Sequence, residues 1–496
     1  MTDAWLLAPV LVPLATAMAL VPLGARRTVV RGLSLASVAL QLGVAAALVR
    51  VAARGTPLVH RLGDWPVPQG IVLVGDRLSA LMLLVTTALA LPALLHAVRG
   101  DDAEGSYFHT FFQLQLAGLA GAFLTGDLFT LFVFFEVLLI ASYALLVHGA
   151  TPARLRWGVH YVVLNLAAST LFLVAAGAMY GLLGTLNLAE LARRVGTLPA
   201  AEAAPVHAAA LLLLVVFALK AAVAPLHLWL PGTYAAAAPA VAALFAIMTK
   251  VGVYAVLRVF GVAFGAGAGP LAGIAEPWLF PAALLTAAAG AVAALGAREL
   301  RRQVGALLVL SIGTLVAAVA PLAAPGVAAG LYYLVHSTLA AGAMFLVAAA
   351  LRGTPAGTRR RTLVGVAFVV GAVAVAGLPP LSGFVGKALI LVAAPDDAHG
   401  WWLWATVLVT SFVAVAALAR TGVEHGWTDA GAPRADDATP APPLLPAALL
   451  LALLGALTVG AGPVAAYTAA AAEQLLARPD AAGGYVRAVL DTPGGR

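Results

Sequence analysis

The chain has 496 residues, of which 62% are apolar and only 10% charged. Soluble domains carry about 25% charged residues, so one or two soluble globules are excluded on composition alone. The lack of cysteine removes disulfides, cysteine-ligated zinc, iron–sulfur clusters and c-type haem, and the net charge of +7 lies in arginines between apolar runs, where it faces anionic lipid and not nucleic acid.

A helix of about 20 apolar residues crosses a hydrocarbon core about 30 Å thick. That ruler predicts fourteen spans, at approximately 4–23, 29–52, 76–96, 107–126, 127–148, 157–183, 205–230, 239–260, 276–297, 302–320, 326–350, 362–394, 401–420 and 441–466. Backbone groups in lipid must be satisfied internally, which makes runs of this length helical and the fold an all-α polytopic membrane protein. The first span follows Asp3 with no basic segment and reads as a retained helix, not a cleaved signal. Residues 187–195 read as a short amphipathic helix at the surface, and 425–445 as a polar, Pro-rich linker before the last span. Odd-numbered connections hold fifteen arginines and even-numbered ones seven, Arg258 among the latter. The positive-inside rule therefore puts the odd connections in the cytoplasm and both termini outside a multi-pass chain of the cell membrane.

The three lysines, Lys220, Lys250 and Lys387, break this pattern. None lies in a connection; each lies inside an apolar span, in VVFALKAAVAP, FAIMTKVGVYA and SGFVGKALIL. A charge at the bilayer centre costs about 2.5–3.5 kcal/mol even on the gentlest scale. Arginine serves every ordinary basic task here but never loses its proton, whereas a desolvated lysine does. Reversible protonation is the property that distinguishes these positions. Snorkelling to the interface is the bland alternative, most applicable to Lys387, which is nearest a helix break. One acid, Glu136 in LFTLFVFFEVLLIASY, is comparably deep and needs a partner on another helix, for which a lysine is the natural candidate. Asp127, nine residues earlier, reads as a cap at the start of that span. His336 in GLYYLVHSTLAAG is placed to pass protons or to pack by hydrogen bonding. The GFVGKA segment lacks the first glycine and final Ser/Thr of a phosphate loop and is set aside.

Two spans are interrupted near these lysines, at Pro225 after Lys220 and at GLPPLSG before Lys387. They are the seventh and twelfth, five apart. An odd offset makes spans 4–8 and 9–13 repeats of opposite orientation, an arrangement common in transporters. The organisation read from this is 1–106 for three leading helices, 107–260 and 276–420 for the two five-helix repeats, 421–440 for the linker and 441–496 for the last helix and tail. Glu136, Lys220, Lys250, His336 and Lys387 then form a series along the membrane plane, in which each charge alters its neighbour's proton affinity.

LTGDLFTLFVFFEVLLIASYALL, FALKAAVAPLHLWLP, ALFAIMTKVGVYAVLR and AVAGLPPLSGFVGKALIL resemble the antiporter-like membrane subunits shared by respiratory complex I and the Mrp multisubunit cation/proton antiporters. DWPVPQGIVLVGDRLSALML and HSTLA are similar to the D-type branch of the Mrp subunits. The resemblance implies fourteen helices with inverted repeats at 4–8 and 9–13 and broken helices 7 and 12. It implies that Glu136 is the helix-5 glutamate paired with Lys220, Lys250 the connecting lysine, His336 the helix-11 histidine and Lys387 the terminal lysine. It also implies partners in the other Mrp subunits, exchange of Na⁺ or another monovalent cation for H⁺, and no cofactor. Ser337 and Ala341 stand where many relatives have a second His or acid and a Lys, and Gly232 and Tyr234 where complex I subunits have Asp and His; these departures favour the Mrp branch. The alternative is a pumping subunit of complex I or a membrane-bound hydrogenase, with electrons in partner subunits.

Overall fold

The structure, a computed structural model, describes residues 3–24, 26–352, 354, 358–426 and 443–491. Most of the polar segment expected before the last span lies outside the described residues.

The chain enters as α1 (Ala8–Leu20) and α2 (Arg27–Ala52). A two-stranded antiparallel hairpin follows, β1 (Leu58–Arg61) and β2 (Val72–Gly75), in a connection where sequence reading predicts no strands. Asp76 caps α3 (Arg77–Ala97) by accepting the Ser79 N–H at 2.8 Å. Helices α4 (Phe108–Leu124) and α5 (Leu128–Val147) are separated by a break at which Asp127 accepts the Thr130 N–H at 2.8 Å, the cap expected of it. Thr151 caps α6 (Pro152–Leu183), whose first residue is a proline, which needs no N–H partner there.

Asn187 caps α7 (Leu188–Gly196). This amphipathic helix buries its apolar face, Leu188, Leu191 and Val195, against protein. Next come α8 (Ala203–Lys220), α9 (Trp229–Ala236), α10 (Pro239–Phe245) and α11 (Met248–Val262). The second half runs through α12 (Glu276–Gly296), α13 (Leu300–Val319) and α14 (Ala324–Arg352). It continues with α15 (Arg359–Ala376), α16 (Ser382–Val392), α17 (Ala398–Gly426), α18 (Leu445–Val459), α19 (Ala461–Leu475) and α20 (Tyr485–Leu490).

Among the described residues, eleven helical segments are long and apolar enough to cross a membrane, and α18 with α19, bent by 80°, makes a twelfth if the pair is one span. The fourteen spans read from the sequence are not reproduced as fourteen such helices. Helix α4 has 17 residues, and the twelfth span is split into α15 and α16 of 18 and 11 residues. Helices α10–α11 and α14 form the centre, fully buried over their most apolar windows, whereas α1, α2, α6 and α17 are peripheral. Exposed Val159, Val163 and Leu166 on α6 and Trp401, Trp402 and Phe412 on α17 face lipid or partner chains.

Small residues let the helices approach closely. A Cβ on Gly313 would lie 2.2 Å from the Ala287 nitrogen, and one on Gly290 would lie 2.3 Å from the Leu310 nitrogen, so α12 and α13 cross backbone to backbone. At the periphery α1, α2 and α4 share a buried polar cluster: Thr16 donates to Ser37 at 3.0 Å, Ser37 to Gln113 at 3.2 Å and Gln41 to Gln113 at 3.1 Å.

The connections sort onto two faces. On one, the bridges Leu73 to Thr125 and Asp127 to Asn187 tie connections 2, 4 and 6, while Gln474 of the C-terminal segment donates to Gly55 O at 2.6 Å. Leu6, near the chain start, packs against Gly75 on this same face. On the other, Arg154 pairs with Glu104, Arg352 with Glu299 at 2.5 Å, and Arg420 donates to Leu295 O at 2.5 Å, joining odd connections to one another. Even joins even and odd joins odd, as alternate crossing requires.

One sequence assignment is corrected. Arg258 does not belong to a connection: it is 1% exposed, inside α11, with its guanidinium on Asp76 at 2.6 and 2.8 Å. Asp76 neutralises it, so it carries no weight as a topology signal.

Candidate ion-translocation site

Helix α8 stops at Lys220 because Ala222 takes a left-handed φ of 58° and Pro225 has no N–H to continue the ladder. The ammonium at that helix end donates to Asn165 Oδ1 at 3.2 Å and to Asn165 O at 3.5 Å. Asn165 is itself fixed on α6, its amide donating to Tyr161 O at 2.9 Å. A cavity of about 20 Å³ beside Lys220, lined by Tyr161, Asn165, Trp229 and Met248, is large enough for one water.

Glu136 does not make the expected contact with Lys220. Its carboxylate accepts from the Ser169 hydroxyl, and the side chain is partly exposed on α5. Ser169 and Asn165 are four residues apart on α6, so Glu136 and Lys220 hold neighbouring turns of one helix face. The carboxylate stays within electrostatic reach of Lys220 without touching it. Helix α6 interposes neutral polar groups between the charges because it packs against both α5 and α8.

Lys250, on α11, is fully buried, and its Nζ has no hydrogen-bond partner among the described residues. The Thr249 hydroxyl beside it also lacks one, as does Oε1 of Gln115, whose amide lies 2.8 Å from Met248 Sδ. Buried polar atoms are almost always satisfied by protein or water, so this central layer is a place for ordered water. His336 lies within electrostatic reach of both Lys250 and Lys387, and its Nδ1 is 2.9 Å from Ser382 Oγ. A second cavity of about 20 Å³ adjoins it, lined by Ser311, Tyr333 and Ser337.

Lys387 donates to Ala376 O and to Ser411 Oγ, each at 2.8 Å. Helix α15 ends at Gly377, whose φ of 79° frees the carbonyl of Ala376 for the ammonium. A Cβ at Gly377 would sit 2.6 Å from the Lys387 side chain and displace it, and the positive φ itself favours glycine there. Both break lysines thus lie against neutral oxygens near helix C-termini, where a positive charge is favoured by the helix dipole.

The structure joins Glu136 to Lys220 through α6 and His336 to Lys387 through α16, and leaves Lys250 between them. Sequence reading missed Asn165, Ser169, Ser382 and Ser411. Their signal was available: each is a polar residue in an apolar run, and Asn165 and Ser169 have the helical i,i+4 spacing. What could not be read is which lysine or acid they face.

The sequence pattern of the family described as NADH:quinone oxidoreductase/Mrp antiporter, transmembrane, matches residues 125–414. The chain belongs to this family. All five candidate residues lie in the matched stretch. Relatives in the NADH:quinone oxidoreductase/Mrp antiporter family include a protein of Rhizobium meliloti named as a probable K⁺/H⁺ antiporter D subunit, 39% identical over 96% of both chains. The Na⁺/H⁺ antiporter D subunit of Bacillus subtilis is 34% identical over 97% of this chain and 98% of its own. In the solved Mrp complex from Dietzia sp., one chain superimposes with a TM-score of 0.86 at 29% identity, covering 98% of this chain and 99% of that one. A chain of respiratory complex I from Thermus thermophilus shares the fold, with a TM-score of 0.77 at 24% identity over 96% of this chain.

Proposed function

We propose that this chain is the proton-translocating D subunit of a multisubunit monovalent cation/proton antiporter, working with other Mrp-type subunits in the cell membrane. The observation that carries the reading is the placement of the lysines. All three in the chain are buried, two at the helix breaks and one unpartnered between them among the described residues. A structural membrane protein has no use for that cost.

In this reading Glu136, Lys220, Lys250, His336 and Lys387 hand protons along the membrane plane. Neutral partners suit this role, since Asn165 and Ser411 accept a hydrogen bond from an ammonium yet do not pin it as a carboxylate would. A proton arriving at one lysine changes the affinity of the next, and the waters that fit the small cavities connect groups too far apart to touch. The regions 107–260 and 276–420 act as inverted repeats, each supplying one broken span. The arginine bias places the odd connections in the cytoplasm and both termini outside. The exchanged cation is Na⁺ or K⁺, the two ions in the names of the relatives.

The test is cation-dependent proton flux in inside-out vesicles carrying the whole complex, with assembly checked on a native gel. Glu136→Ala is expected to abolish flux with the complex intact. Retained flux would move the proton path to the partner subunits.

A further inference from the structure

Connections 1 and 3 meet over a cavity of about 380 Å³, far roomier than the spaces beside the lysines and in the size range of small-molecule sites. It lies between the end of α1, the start of α2 and the start of α4. Leu20 and Val30 form an apolar wall, and Arg27, Ser106, His109 and Thr110 a polar one. The polar wall is held from behind. Arg31 donates to Asp102 at 2.6 and 2.7 Å, and Asp102 Oδ2 lies 3.0 Å from His109 Nε2. One turn along α4, Gln113 donates to Ser34 Oγ at 3.0 Å and pins this end of the helix to α2. Burial raises the Asp102 carboxyl, but hydrogen bonds from His109 and Arg31 and the Arg31 charge outweigh burial and hold it at about 2. Asp102 is therefore ionised, with both oxygens engaged and its charge cancelled by Arg31.

A surplus of donors is left on this wall. Arg27 has no hydrogen-bond or ion-pair partner among the described residues. Thr110, 8% exposed, lines the cavity with a hydroxyl that likewise has none, and buried His109 leaves its Nδ1 unpartnered. Helix α4 adds its own amides. Its first backbone bond runs from Phe111 N–H to Tyr107 O and no side chain caps it, so the N–H groups of Phe108, His109 and Thr110 end at the positive pole of the helix. Free donors around one uncancelled guanidinium suit an anion, and a phosphate best, since it accepts from several donors at once. The surroundings add a second requirement. Val21 lines the cavity and is exposed, as are Met18 one turn before it and Val29 and Leu33 on α2, so the polar wall opens beside hydrocarbon-facing surface.

We propose that this cavity binds the phosphate headgroup of an anionic phospholipid, whose acyl chains lie along α1 and α2. Arg27, the Ser106 and Thr110 hydroxyls and the α4 amides receive the phosphate, and the chain from Arg31 through Asp102 to His109 keeps the wall in place. The site is separate from the lysine series and stands without the transport reading.

The experiment uses the assembled complex in phosphatidylcholine vesicles doped with phosphatidylglycerol that carries a photoactivatable group next to its glycerol. Cross-linked peptides are identified by mass spectrometry, with assembly checked on a native gel. Wild type is expected to be labelled within residues 18–33 and 105–112. Arg27→Gln and Thr110→Val should each lower that labelling about fivefold, by loss of one charge or one hydrogen bond. Arg27 is exposed and unbonded, so its variant decides the matter if Thr110→Val does not assemble. Arg156→Gln removes an exposed charge from the same face, outside the cavity, and should leave labelling unchanged. Phosphatidylcholine with the same photoactivatable group should label these peptides several-fold less. Excess inorganic phosphate separates the two sources of the anion: unchanged labelling supports the lipid, and lost labelling overturns it in favour of free phosphate. Equal loss in Arg27→Gln and Arg156→Gln would overturn the site and leave only surface charge. Absence of label from both peptides, with a partner subunit labelled over this face in their place, would overturn it as well.

Discussion

Lys250 and Arg258 stand two turns apart on α11, both buried, and they are held in opposite ways. Arg258 is gripped by Asp76 through two hydrogen bonds, makes a third to Ser79 Oγ at 3.0 Å and lies 4.6 Å from the centroid of the Tyr485 ring. Lys250 has no hydrogen-bond partner among the described residues. Removing one member of a buried pair strands the other charge and is strongly destabilising, so the Arg258 end is a fixed anchor. A lone ammonium is tolerable only where it can shed its proton or gather water. One helix thus carries a permanent charge where it is fastened and a removable one where it works, and the choice of Arg or Lys follows that division.

Breaking the comparison at its working end should have the largest effect. Lys220→Arg or Lys250→Arg keeps the charge but forbids deprotonation, and flux in assembled complex is expected to fall to background. A fully active variant would refute the division between fixed and removable cations. At the anchored end, Asp76→Ala leaves a buried guanidinium without its counter-charge and should cost about 3–5 kcal/mol, read as a lowered unfolding midpoint or lost assembly. Asp76→Leu combined with Arg258→Met should recover most of that loss, since an apolar pair pays no charge penalty.

Smaller effects sharpen the contrast. Asn165→Leu removes the side-chain oxygen that receives Lys220, leaving only the longer contact to Asn165 O, and should slow flux about tenfold while leaving the unfolding midpoint within a few degrees. Loss of midpoint without loss of rate would make Asn165 a packing residue. Asp102→Asn weakens the contacts to Arg31 and His109, for a cost of about 1 kcal/mol at neutral pH. Because the Asp102 carboxyl is held at about 2, its contribution is present above the ordinary carboxylate value and fades as pH falls through about 2. The Asp102 carboxyl therefore adds no pH dependence of its own to the difference between variant and wild type from pH 5 to 8. Tyr485→Leu takes the ring from Arg258 and should cost about 1 kcal/mol, detectable as a modest shift in thermal midpoint with flux unchanged.

Composition and periodicity determined much of this molecule. Runs of apolar residues force helices because lipid offers no partner for a free N–H or C=O. The proline and glycine interruptions at Ala221–Leu228 and Gly377–Leu381 were legible because neither residue continues a helix on its own terms. The rarity of lysine, and its confinement to apolar runs, singled out three of the five candidate residues before any contact was known. Only the tertiary structure decided who meets whom. It set Asn165 and Ser169 between Lys220 and Glu136, withdrew Arg258 from the connections onto Asp76, turned the apolar face of α7 onto protein and gathered Asp101, Arg154 and Arg301 on one turn. The physical reason is range. Helix formation and hydrophobicity are local and leave a mark every few residues, whereas a buried charge is paired by a group that packing delivers, in Arg258 and Asp76 from 182 residues away.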